Sequence, residues 1–235
     1  MSKNSEATTL TLEEPRAGRI IGHAIAPLAP VAGSVSVLIV GEAPGPRGAD
    51  KSGFPFFGDA AGKHLYLALR KLGAVQLPDG IDELPWDGAK FRAAGYAPIA
   101  INVALTNAFN HCPTDDGMRF RAPTRAELEG DENSSRLATE ISGFKKRGLG
   151  GVVTLGKVAE RTVRFVIDKH FANEIQVHAL PHPSAQGLLS MAPNRGRGAK
   201  MADLQAQWMQ QCMNAIHEAG FGFGTLPSSN SRAAT

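Results

Sequence analysis

One stretch constrains this chain more than any other. Residues 35–72 read VSVLIVGEAPGPRGADKSGFPFFGDAAGKHLYLALRKL. Val35, Val37, Leu38, Ile39 and Val40 form a short, β-branched apolar run closed by Gly41, which predicts a buried strand. Asp59 stands at a helix N-cap position, and Ala61, Leu65, Ala68, Leu69 and Leu72 recur at helical spacing before Gly73 stops the helix. The long loop between them holds Glu42, Asp50 and three phenylalanines, and a loop of that length inside a compact domain is usually functional. A phosphate cradle is the first idea to test. GPRGADKS (45–52) is one residue short of a Walker A pattern, but Asp50 replaces its second glycine and Pro46 removes a backbone donor, so the cradle is rejected.

The rest of the chain alternates strands and helices. Residues 15–34, with Pro15, Pro27 and Pro30, read as an irregular lead-in or a short helix, and 74–98 as a loop-rich excursion. Ile99, Ile101, Val103 and Leu105 alternate as a second strand ending in TNAFNHCP. Thr124 and Glu127 make a capping box for a helix that ends near Lys145 to Gly148. Val152–Leu155 predicts a third strand, followed by a helix from Lys157 to about His170. Ile175–Leu180 predicts a fourth, leading into PHPSAQGLL, and Leu204, Trp208, Cys212, Ala215 and Ile216 share a face of a last helix. This order predicts an α/β fold, a three-layer α/β/α sandwich around a central, mostly parallel four-stranded sheet. Ligands bind such sheets at the carboxyl ends of the strands, and Gly41, Asn107, Lys157 and His182 all follow strand ends.

GEAPG, then Asp50, then GFPFFGDAAG resembles the first motif of family 4 of the uracil-DNA glycosylase superfamily, roughly GEAPG-x-x-x-D-x-x-G-x-PFVG-x-AG. The loop is one residue longer, and with its GDAAG ending it is also similar to family 5, whose loop reads roughly GLAPA…G-x-x-FTGD. The chain thus resembles an intermediate between the two. HPS (182–184) is similar to the superfamily's second motif, and Asn107 matches the asparagine of TNVVKCRPP and TNAVRCAPP.

The resemblance implies roles. His182 would stabilise the uracil anion as it leaves, because a donor aimed at developing charge lowers the barrier. Phe56 would stack on the flipped base, and the Asn107 amide, donor and acceptor at once, would read its edge, with Gly41 beside them. The acid that activates water is open among Glu42, Asp59 and Asp50; Glu42 is the first choice, since Asp59 is also explained as an N-cap. Ser184, Leu188, Arg195 and Arg197 would meet DNA, as an apolar wedge and phosphate contacts beside it. Phe54 and Phe57 are expected in the core.

The chain departs from both families in its thiols. They hold a [4Fe–4S] cluster on four cysteines. Here only Cys112 and Cys212 occur, His111 stands at the position of the cysteine in TNxxxC, and residues 131–135 are DENSS. No cluster, metal or other cofactor is expected.

Two cysteines in 235 residues also suit a reducing compartment, and a cytoplasmic protein is expected, with no membrane span. The formal charge of +3 is compatible with a DNA partner and discriminates little. One domain over 15–224 is expected, between a disordered segment 1–14 and a disordered tail 225–235. The expected activity is a monofunctional DNA glycosylase that hydrolyses the N-glycosidic bond of deoxyuridine in DNA, releasing free uracil. A non-catalytic damaged-DNA binder and a nucleoside hydrolase are the alternatives. The cross-linking branch of the superfamily carries KRRIH before its HPS-type motif; VHALPHPS here speaks against it.

Overall fold

The structure, a computed structural model, describes residues 20–21, 24–114, 119–172, 174–193 and 197–222. The segments 1–14 and 225–235, and Arg195, lie outside the described residues. In chain order the elements are β1 (Ile20–Ile21), β2 (Val37–Gly41), α1 (Ala49–Ser52), α2 (Ala60–Lys71), β3 (Val75–Gln76), a 3₁₀ turn (Ile81–Glu83), α3 (Gly88–Ala93), β4 (Ile99–Ala100), β5 (Val103–Asn107) and β6 (Pro113–Thr114). There follow α4 (Arg125–Glu129), α5 (Asp131–Lys145), β7 (Gly151–Leu155), α6 (Lys157–His170), β8 (Gln176–Leu180), α7 (Ala185–Leu189) and α8 (Met201–Glu218).

The central sheet has the order β5-β2-β7-β8, and every neighbouring pair is parallel. Alternation along β2 divides the core in two, as the two-residue period of a strand requires. Val37 and Ile39 face a layer that includes Leu65 and Leu69 of α2 and Trp208, Cys212 and Ile216 of α8. Leu38 and Val40 face Leu137 and Ile141 of α5 and Ala159 and Val163 of α6. The free side of β5 is covered by the lead-in, where Leu28 N–H donates to Leu105 O at 2.9 Å and Leu105 N–H donates back at 2.8 Å. The four-stranded α/β/α sandwich expected from the sequence is the observed fold, and its sheet is wholly parallel.

Three boundaries differ from the sequence reading. The strand expected over Ile99–Leu105 is two strands, because Asn102 adopts φ 58° and turns the chain between β4 and β5. The capping box forms, with Glu127 N–H donating to Thr124 Oγ1 and Thr124 N–H to Glu127 Oε2 at 2.6 Å, but Gly130 separates α4 from α5. The excursion 74–98 contains β3, the 3₁₀ turn and α3; Asp87 caps α3 by accepting from Lys90 N–H at 2.9 Å. A single buried side chain, Phe91, anchors that short helix in an aromatic cluster with Phe57 and Trp86, too little for a periodic signal.

β2 lies inside the sheet. The chain leaves it toward β5 and then crosses back to β7 and β8 on its other side. This is a topological switch point, and the crevice it opens lies at the carboxyl ends of β2, β5, β7 and β8.

Candidate active site

A cleft of roughly 1220 Å³ opens at that edge, lined among others by Glu42, Phe56, Asp59, Lys157, His182 and Ser184. It is larger than the space a single small ligand fills.

Glu42 follows the last residue of β2. It is half-buried, and burial raises its pKa against the opposing pull of the Arg161 guanidinium. Its backbone carbonyl accepts from Phe109 N–H at 2.9 Å, which fixes the exit of β2 against that of β5.

Asn107 ends β5 and is 1 % exposed. Its Nδ2 and Oδ1 are both buried and find no hydrogen-bond partner among the described residues. An amide left so has lost its water and gained nothing, at a cost of about 1–3 kcal/mol per group, and such groups call for an explanation. Phe56 and Asn107 converge over Gly41: a β-carbon there would stand 2.6 Å from Phe56 Cζ and 3.0 Å from Asn107 Oδ1. Glycine is what lets ring and amide approach the strand. Phe56 itself is 7 % exposed and holds φ 63°, a region that a bulky side chain rarely enters and that clusters at functional sites. The carbonyl of Pro55, next to it, accepts from the buried Tyr66 hydroxyl at 2.8 Å.

Asp59 departs from expectation. It occupies the N-cap of α2, yet its carboxylate makes no cap hydrogen bond. It turns back into the loop instead and accepts from the backbone N–H groups of Gly45, Gly48 and Ala49, the last at 3.3 Å. A β-carbon at Gly48 would overlap Asp59, so the glycine permits the approach. Desolvation outweighs the three donors and pushes the Asp59 pKa up to about 6. The side chain organises the loop that carries Glu42, and its oxygens are already committed. Asp50 lies on α1 in an ion pair with Lys51 at 3.0 Å and is not part of the cleft lining.

His182 follows β8. The Ser184 N–H donates to its Nδ1 at 3.2 Å, so the neutral ring carries its proton on Nε2. Burial lowers its pKa, which keeps the ring neutral at physiological pH and makes it a donor without charge. Trp208 Nε1–H of α8 holds the loop by donating to Pro181 O at 2.8 Å. Ser184 caps α7 through its hydroxyl, which accepts from Gly187 N–H at 3.4 Å.

Leu188 requires a correction. It touches the cleft lining but is 1 % exposed and belongs to the core, so it cannot serve as a wedge into a duplex. Leu189 and Met191 beside it are partly buried and nearer the surface. Arg197 is exposed and outside the lining. Phe57 is fully buried and Phe54 packs partly against the same core.

Lys157, exposed at the start of α6, lines the cleft as its place after a strand end suggested, and sequence reasoning passed over two further residues of the lining. His64 on α2 and Phe120, 45 % exposed at the cleft, carried no motif.

The implied cluster does not fit. The chain has two cysteines, too few for four thiolates. Both are free and buried, and burial pushes each thiol up to about 12, far from the thiolate a metal needs. Among the described residues no group of three or more histidines, cysteines or acids is placed to hold a metal ion.

A wholly parallel open sheet with polar side chains gathered at its switch point defines a ligand-binding α/β protein of the three-layer kind. The chain belongs to the uracil DNA glycosylase superfamily, whose family model matches residues 31–205. It is also 48 % identical over 46 residues to a type-5 uracil-DNA glycosylase of Mycobacterium leprae (strain TN). That match covers 20 % of this chain and 20 % of the relative.

Proposed function

We propose that the protein hydrolyses the N-glycosidic bond of deoxyuridine in DNA, releasing uracil and leaving an abasic site that initiates base excision repair. The observation that carries this reading is the buried Asn107 amide, beside the Phe56 ring, with no partner among the described residues and no solvent. An edge with one acceptor and one donor is what such an amide lacks, and the O4 and N3–H of uracil offer both. Phe56 supplies the face on which an extruded base stacks.

The chemistry divides between two side chains. As the bond breaks, negative charge grows on the uracil, and a neutral His182 donating from Nε2 meets it. Positive charge grows on the sugar, and the Glu42 carboxylate stabilises it while orienting the attacking water. The raised pKa of Glu42 suits a group that must accept a proton. Ser184, Lys157 and Arg197 are the groups we assign to the phosphates around the extruded nucleotide, in a protein acting in the cytoplasm.

The test is a gel assay of a uracil-containing oligonucleotide, with alkaline cleavage after incubation. Strand scission at the uracil position is expected. Tight binding without base release would instead make the protein a non-catalytic reader of damaged DNA.

A further inference from the structure

Behind the cleft, α5 grips the peptide that carries Asn107. Arg136 Nη2 donates to Asn107 O at 3.1 Å and to Ala108 O at 2.8 Å. Asn133, itself buried, donates from Nδ2 to Ala108 O at 2.8 Å and to Leu128 O at 2.8 Å, while its Oδ1 accepts from Arg136 Nη2 at 2.9 Å. Glu140 pairs with Arg136 Nη1 at 2.7 Å and accepts from the Thr106 hydroxyl at 2.9 Å, which closes the ring back onto β5. The ion pair is largely shielded, with side-chain exposures of 19 % and 13 %. On the opposite side the same two peptides face β2: Ala108 N–H donates to Gly41 O at 2.7 Å and Phe109 N–H to Glu42 O at 2.9 Å.

We propose that Arg136 is a positioning residue: with Asn133 and Glu140 it locks the Asn107–Ala108 peptide against the exit of β2, so that the base-reading amide is held in place. The Asn107 side chain makes no hydrogen bond among the described residues, so its orientation depends on the backbone beneath it. A guanidinium suits this task because it is planar and spans two carbonyls and a carboxylate at once, which a lysine cannot do. Its charge is balanced by Glu140 and stays out of the cleft. The brace ties residues 106–108 to α5.

The inference rests on the proposed glycosylase reading, and a double-mutant cycle tests it. Arg136→Met, Asn107→Ala and the double variant are compared in single-turnover release of uracil and in affinity for DNA carrying an abasic-site analogue. Misplacing a reacting group by an ångström costs about 10²-fold, and Arg136→Met is expected to slow release by about that factor. Affinity for the abasic analogue, which has no base for Asn107 to read, should stay unchanged. In the Asn107→Ala background the further loss from Arg136→Met should shrink to about twofold, because groups acting as a unit are not additive. Arg136→Lys, which keeps the charge near Glu140, carries the same test if Arg136→Met fails to fold, and should also lose release. Equal losses in both backgrounds, or a matching loss of abasic-DNA affinity, would overturn the inference alone. A wild-type protein that releases no uracil would overturn the glycosylase reading and this inference with it.

Discussion

The ring of Phe56 and the amide oxygen of Asn107 face the same side of Gly41, and no room is left there for a methyl group. Gly41→Ala should therefore act on both at once. Overpacking of this kind costs about 1–3 kcal/mol of stability, and the displaced ring and amide should lose base release as well. Adding Phe56→Ala removes the ring atoms, the nearest that the methyl meets, and leaves only Asn107 Oδ1 at 3.0 Å. The double variant should be less destabilised than the sum of the two singles, by thermal or urea unfolding. Simple additivity would mean the ring is not what the methyl strikes.

Phe56 offers a second test through its backbone. Its φ of 63° is costly for any residue with a β-carbon and free for glycine. Phe56→Gly should thus be more stable than Phe56→Ala by about 1 kcal/mol, the reverse of the usual order. Both should lose about 1–3 kcal/mol of handling of the flipped base, measured per folded molecule. Activity that tracks only the folded fraction would leave Phe56 as a core residue.

His182 is expected to act in the transition state. Removing a donor of its type costs about 10²–10³ in rate, so His182→Ala should bind uracil-DNA nearly as wild type and release the base far more slowly. Its lowered pKa gives a stability signature too. The unfolded ring protonates first as the pH falls below 6.5, while the native ring stays neutral. The unfolded state then binds more protons, and stability is lost as pH falls from 6.5 toward the native value. His182→Gln should flatten that slope in pH-dependent unfolding.

Arg197 is exposed beyond the cleft lining. If it meets a phosphate, Arg197→Ala should lower the slope of log affinity against log salt by about one unit without sequence dependence. An unchanged slope would make it an ordinary solvated charge.

The sheet and most of its covering helices were legible because their signals are local. β2 and β7 are apolar runs closed by glycine, and the faces of α2 and α8 repeat at helical spacing. The positions of Gly41, Asn107, Lys157 and His182 followed from strand ends alone, since a parallel sheet brings those ends together. What was hidden depends on contacts far apart in sequence. Asp59 reads as an N-cap, and nothing local reveals that its carboxylate serves Gly45, Gly48 and Ala49. Leu188 reads as a loop wedge until packing buries it. The grip of Arg136 on Asn107 O joins residues 29 apart and carries no periodic or motif signature.

Asp59 and Glu42 both line the cleft, and pH separates them. The native pKa of Asp59 is about 6 against an ordinary 3.8, raised first by desolvation. Between these values the native state holds a proton that the unfolded state has lost. Stability from this group is full below pH 3.8 and is lost as pH rises through about 6. The difference amounts to at most about 3 kcal/mol. Asp59→Asn removes the titration, so the stability of wild type relative to the variant should grow as pH is lowered from 7 to 4. The amide nitrogen cannot accept from the loop N–H groups, so the variant should also loosen residues 45–49, read as faster amide exchange at Gly48 and Ala49. Glu42→Gln should behave differently: little change in loop exchange, DNA affinity near wild type, and a large fall in single-turnover release. If Asp59→Asn leaves loop exchange untouched and Glu42→Gln leaves release untouched, the assignments are reversed, and Asp59 is the group that activates water.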